Sequence, residues 1–202
     1  MSTIATTFDV NDLPAGAESR HTSGWWGAML AILTEATLFA SLIAAYFYLR
    51  LRSDVWPIGG IEEPKLLLGG IGLAVLAASS VVIWSAERML RRGRTTVARV
   101  AVAATVVLGV AFLVLQYLDF QDKHFGIDTN AYGTIYYAIT GLHTAHVVAG
   151  LILLSFTLTR LVIHPGTRAG RTTLSVISLY WHFVDVVWLA VYTSLFLSER
   201  WF

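Results

Sequence analysis

The chain has 202 residues, 56% of them hydrophobic and 12% aromatic, with 14 basic and 13 acidic side chains and a net charge of +1. Soluble domains are nearer ~45–50% apolar, so this composition belongs in a membrane, and no basic stripe for nucleic acid is present. Cysteine is absent, which removes disulfide frameworks, thiolate-rich zinc sites, iron-sulfur clusters and cysteine nucleophiles together and leaves His, Asp and Glu for chemistry.

Residues 1–24 are polar and mixed in charge (Asp9, Asp12, Glu18, Arg20), carry Pro14 and Gly16, and have no basic flank leading into an apolar run. They read as a disordered cytoplasmic tail, not a cleaved signal peptide. Residues 25–202 then form one membrane domain. A span needs about 20 mostly apolar residues, and five segments qualify, at about 25–49, 66–86, 97–118, 132–162 and 172–197. The predicted fold is an all-α polytopic bundle of five transmembrane helices. Trp56, Pro57, Gly59 and Gly60 punctuate the end of the first span; Arg91, Arg92, Gly93 and Arg94 follow the second; Pro165 and Gly166 end the fourth. Small residues four apart, Thr37, Ser41 and Ala45 on the first span and Gly141, Ala145 and Ala149 on the fourth, predict faces that pack on helices in preference to lipid.

Basic residues fall unequally on the two sides. Arg20, then Arg88, Arg91, Arg92, Arg94 and Arg99, then Arg160, Arg168 and Arg171 share one side; Arg50, Arg52, Lys65, Lys123 and Arg200 share the other, with Asp54, Glu62, Glu63, Asp119, Asp122 and Asp128 among them. The positive-inside rule places the N-terminus in the cytoplasm and the C-terminus outside.

Five ionisable side chains lie within the spans: Glu35, His143, His146, His182 and Asp185. Each costs ~2.5–3.5 kcal/mol at the bilayer centre on insertion scales, so each needs a partner or a purpose. Glu35 reads either as a proton-relay or reactive carboxylate or as a hydrogen-bonded acid tying two helices together. His143 and His146, three apart, share a helix face and could give two ligands to one metal, but a third ligand is missing. The simpler expectation is that each imidazole donates to a carboxylate or carbonyl of a neighbouring helix. His182, Asp185 and Tyr192 make a polar stripe on the fifth span that predicts an ion-paired or hydrogen-bonded helix contact. Trp181 and Trp188 predict packing, and Trp25, Trp26 and Trp201 interfacial anchoring. A transporter with Glu35 and Asp185 as coupling acids would need an inverted repeat or broken helices. A membrane metal hydrolase would need an HExxH motif or third-ligand pattern to accompany the histidine pair. The sequence has neither set.

The run Tyr180-Trp181-His182-Phe183-Val184-Asp185-Val186-Val187-Trp188 resembles the last-helix signature of subunit III of the haem-copper respiratory oxidases. Thr140-Gly141-Leu142-His143 followed by His146-Val147 is similar to the family's paired-histidine helix, and Glu35 with Leu38 and Phe39 to its first-helix glutamate pattern. Weaker likenesses are Trp56-Pro57 and Pro64, Ser79-Ser80, Arg91-Arg92-Gly93, and Gly109, Phe112 and Gln116. Asp119 stands where the family often has Glu, and Thr144-Ala145 replaces the usual Gly-Leu between the histidines. The order of these motifs corresponds to a short, five-helix form starting at the helix that matches the third of the familiar seven.

The resemblance implies an accessory subunit of a bacterial cytochrome c oxidase in the plasma membrane, with no catalytic or metal site of its own; the third subunit of a quinol oxidase or a related protein accompanying nitric oxide reductase is the alternative that the same helix set implies. Haem and copper would sit in partner subunits, subunit I in direct contact and subunit II and other respiratory-complex subunits beyond it. It also implies bound phospholipid in a cleft and support of proton uptake and durability. Glu35, His143 and His146 fall by motif at that cleft as an expected hydrogen-bonded polar cluster, while His182, Asp185 and Tyr192 are expected to be structural.

Overall fold

The computed structural model describes residues 23–61 and 66–198. The expected tail through Thr22, together with Glu62, Glu63, Pro64, Lys65, Arg200 and Trp201, lies outside the described residues. Five helices run in order, α1 (Ser23–Arg52), α2 (Leu66–Arg91), α3 (Thr95–Gln121), α4 (Ala131–Ile163) and α5 (Arg168–Tyr192), and α5 passes into a π-helical turn over Thr193–Leu197. No strand occurs among the described residues. All five are long and apolar enough to cross a membrane. Most run past the apolar segment itself into charged or polar residues such as Arg52, Arg91 and Gln121, because a helix keeps its backbone bonds satisfied through the interface where side chains already reach water. Ser23 and Gly24, grouped with the tail on sequence grounds, already belong to α1.

The ends are set locally. Asn130 caps α4 by accepting from the Gly133 N–H at 2.9 Å, and Thr167 caps α5 by accepting from the Gly170 N–H at 3.1 Å. Gly93 and Gly166, at φ of 76° and 73°, take the left-handed conformation that stops α2 and α4 without a Cβ penalty.

Helices α2, α3, α4 and α5 form a ring in which each touches its two neighbours, and α1 lies outside it against α4 and α5. The heptad-like face Glu35, Phe39, Leu42, Tyr46 and Leu49 turns toward the ring. At the far end Arg50 donates to the Ser198 hydroxyl at 2.7 Å and its carbonyl at 3.0 Å.

The ring is closed around Trp181, which is fully buried. Its indole fills a slot between α3 and α4. A Cβ on Gly109 would stand 2.8 Å from one end of the ring, and a Cβ on Gly150 would stand 2.8 Å from the other. The indole N–H reaches across to the Ser79 hydroxyl on α2 at 2.8 Å. Trp188 packs edge-on to Phe112 at 4.9 Å, so both tryptophans serve packing, as the sequence predicts.

The small-residue stripes serve packing only in part. Ala45 is partly buried and packs against the core, but Thr37, Ser41, Ala145 and Ala149 are exposed, and nothing lies within 4 Å of a Cβ built on Gly141. The exposed positions face away from the chain's own helices, which take their closest approaches at Gly109 and Gly150 instead.

Overpacking costs typically ~1–3 kcal/mol, so Gly109→Leu or Gly150→Leu is expected to lower the thermal midpoint of the detergent-solubilised protein markedly. Gly141→Ala should leave it unchanged, as measured by size-exclusion chromatography after heating.

Candidate functional site

Of the three residues expected to cluster, the structure joins two. Glu35 on α1 meets His146 on α4, Oε2 to Nε2, at 3.1 Å. The other ring nitrogen, Nδ1, lies 2.8 Å from the Leu142 carbonyl one turn back. A carbonyl only accepts, so Nδ1 carries a proton. The Nε2 to Oε2 contact then requires one further proton, held by imidazole or by carboxyl, and the pair is neutral in either case. Tyr180 on α5 donates to the His146 carbonyl at 3.2 Å, which draws a third helix to the same place. The Glu35 side chain is 37% exposed, so the pair opens outward from the bundle while His146 backs it from inside.

His143 is not part of that bonded pair. It is fully buried, and neither ring nitrogen has a hydrogen-bond partner. Trp188 lies over it with ring centroids 4.8 Å apart, Phe112 meets it edge-on at 5.7 Å and Phe39 at 6.4 Å. The expected three-residue hydrogen-bonded cluster is therefore corrected: the α4 histidines share a broad face, but about 60° separates them on it. That offset turns one into the aromatic centre and the other toward α1. Phe39 touches both, lying 5.2 Å from His146.

On α5, His182 and Asp185 do not pair directly. Ser80 of α2 bridges them, donating to Asp185 Oδ2 and lying 2.9 Å from His182 Nδ1. A hydroxyl has one proton, so His182 Nδ1 is the donor in the second contact. Ser178 stands 3.4 Å from the other ring nitrogen. Tyr192 belongs elsewhere on the helix, its hydroxyl facing the Leu66 carbonyl at 3.4 Å. The stripe read from sequence is thus two separate α2–α5 contacts at different depths.

A third polar set falls where the sequence indicated only loop charge. Lys123 and Asp119 form an ion pair at 3.1 Å with side chains 6% and 5% exposed, and Tyr136 donates to the same carboxylate at 2.9 Å. The i, i+4 spacing of Asp119 and Lys123 was a legible signal for this pair. Ser80 carried no such signal, since its partners lie more than 100 residues away in sequence. Among the described residues no three His, Asp or Glu side chains converge to hold a metal ion.

Five unbroken apolar helices, with polar groups tied pairwise between them, define an integral membrane protein of the bundle class. Residues 18–200 match the family model described as cytochrome c oxidase subunit III. The chain is 30% identical to "Cytochrome c oxidase subunit 3" of Synechocystis sp., over 98% of its own length and 87% of the relative's. It is 30% identical to the protein of the same name from Thermostichus vulcanus (86% and 87%) and 33% identical to that of Scyliorhinus canicula (85% and 68%). The chain belongs to the cytochrome c oxidase subunit III family.

Removing the Ser80 hydroxyl strands a buried acceptor and a ring donor, each worth ~1–3 kcal/mol when left unsatisfied. Ser80→Ala is therefore expected to lower the unfolding midpoint in a detergent titration more than Ser85→Ala, whose hydroxyl bonds only the Val82 carbonyl of its own helix.

Proposed function

We propose that the chain is the third, accessory subunit of a bacterial haem-copper terminal oxidase, which reduces oxygen to water and moves protons across the plasma membrane. The family match over residues 18–200 carries this reading, and the two cyanobacterial relatives support its bacterial setting. The excess of arginine at the α2–α3 and α4–α5 connections supports a cytoplasmic N-terminus. Subunit I is the direct partner, with subunit II beyond it.

The chain's own residues do not fit the redox groups of such an enzyme. It has no Cys for a dinuclear copper site. Its intramembrane histidines are enclosed by rings (His143) or bonded to Glu35 and Ser80 (His146 and His182). Haem and copper accordingly belong to the partner subunits, and the role of this chain is support: holding phospholipid in its outward grooves and sustaining proton uptake and durability of the catalytic subunit. The transporter reading loses its footing on the helices themselves, which run unbroken through mid-membrane among the described residues.

Within that role the Glu35–His146 pair is the chemical centre. It holds one proton at an outward-facing position and stays neutral whether carboxyl or imidazole carries it, which suits a group that must persist in hydrocarbon.

Purification of the tagged chain in mild detergent should bring haem, visible in the reduced-minus-oxidised spectrum; a colourless preparation that still contains subunit I would overturn the assignment. Glu35→Ala should leave haem content intact and shorten the number of turnovers before inactivation, while Glu35→Gln, which keeps one hydrogen bond to His146, should lose less. Wild-type activity and lifetime in both would remove the proton-balance role.

A further inference from the structure

Helix α1 is packed along its outer half and unpacked along its inner half. On the outer half Phe39 and Tyr46 are buried, and Leu42, Ala45, Phe47 and Leu49 pack against the core. Arg50 ties that end to Ser198. Just beyond the helix, the Trp56 indole donates to the Tyr46 hydroxyl at 3.2 Å, and Asn130, the α4 cap, donates to the Ile58 carbonyl at 2.8 Å. From Gly24 through Leu38, by contrast, no residue is buried. A Cβ built on Gly27 meets nothing within 4 Å, and the Thr34 and Thr37 hydroxyls bond carbonyls of their own helix.

Two hollows lie between the start of α1 and the ring. One, of about 250 Å³, is lined by Trp25 of α1, Glu87 and Leu90 of α2 and Ser175 of α5, among others. The other, of about 560 Å³, is lined by Gly24 of α1 with Ala169, Thr173 and Ile177 of α5, among others. In the apolar window of α1 6% of residues are buried, against at least 28% in each of the other four spans. Lipid competes on equal terms with protein for apolar helix surface, so packing holds the inner half weakly. Glu35 reaches the ring from that half, its Oε2 3.1 Å from His146 Nε2 on α4.

We propose that α1 is a hinged helix that pivots about Phe39, with the Glu35–His146 contact as the latch that keeps its inner half closed on the ring. Phe39 is the first buried residue along the helix, and it meets both α4 histidines, 5.2 Å from His146 and 6.4 Å from His143. At 1.5 Å per residue the pivot stands ~6 Å from Glu35 and ~21 Å from Trp25. A tilt of about 15° therefore moves Glu35 by about 1.5 Å, enough to part a 3.1 Å hydrogen bond. The same tilt moves Trp25 by about 5 Å, which widens both hollows. One net hydrogen bond shifts such an equilibrium roughly 2- to 13-fold, so breaking the latch releases the inner half while the outer half stays docked. The hinge is a property of this chain alone and does not depend on the accessory role.

The full chain has no cysteine, so spin labels on introduced cysteines report chosen pairs of positions in lipid vesicles. The inner pair is Leu30→Cys with Val162→Cys, and the outer pair is Leu51→Cys with Leu189→Cys; all four side chains are exposed. Distances are measured by pulsed electron paramagnetic resonance in the wild-type background, in Glu35→Ala, and in Glu35→Gln, which can still bond His146. The inner pair is expected to show a short and a long population roughly 3–4 Å apart, and Glu35→Ala to multiply the long one about 2- to 13-fold. Glu35→Gln should keep the wild-type ratio, and the outer pair should keep one distance in all three backgrounds. A single inner distance that is the same in all three overturns the hinge. Equal broadening of both pairs in Glu35→Ala also overturns it, because α1 would then leave the ring as a whole.

Discussion

The indole of Trp181 is the contact on which the bundle depends. Between helices in hydrocarbon there is no hydrophobic driving force, because lipid tails are as apolar as leucine, and association must come from close packing and interhelical hydrogen bonds. Trp181 supplies both at one point. Its ring lies against backbone at Gly109 of α3 and Gly150 of α4, and its N–H bonds to Ser79 of α2. A single side chain from α5 thus touches each of the other three members of the ring, and the depth of all four helices relative to one another is set there.

The ionisable groups are arranged around that anchor as ties between specific pairs of helices. Glu35 and His146 join α1 to α4, Ser80 joins α2 to the His182 and Asp185 pair of α5, and the buried Asp119–Lys123 pair with Tyr136 joins α3 to α4. The Glu35–His146 and Asp119–Lys123 ties each pair an acid with a base and are neutral as units, which keeps the insertion cost of a lone charge from falling on the bundle. His143 departs from the pattern: it is shielded by three rings and has no hydrogen bond at all. The ring contacts of an imidazole with Trp188 and Phe112 take the place that a polar partner holds elsewhere.

How much of this could be read from the sequence follows from the range of each interaction. Five spans were legible because hydropathy acts over about 20 consecutive residues, and the family was legible because the signatures around Glu35, His143 and Trp181 are short and contiguous. Partnerships were not. Glu35 and His146 are 111 residues apart, and nothing in the α4 pattern distinguishes the histidine that meets α1 from the one that turns inward. Ser80 looks like any small residue on an apolar helix until α5 is set beside it. The outward stripes at Thr37 and Ser41 and at Ala145 and Ala149 were legible as small-residue faces, but the sequence of one chain does not contain the surface they meet.

The position of α1 outside the ring has a consequence for biosynthesis. Its main contacts are with α4 and α5, which leave the ribosome after it and after α2 and α3. At roughly 5 to 20 residues per second, the 111 residues between Glu35 and His146 take about 5 to 20 seconds to translate. For that interval α1 sits in the bilayer with its carboxyl unmatched, held by its apolar flanks and by Trp25 and Trp26 at its entry. The newborn helix must therefore be stable in the bilayer before its partners on α4 and α5 exist, and the insertion machinery or a neighbouring protein can shelter its carboxyl until they do.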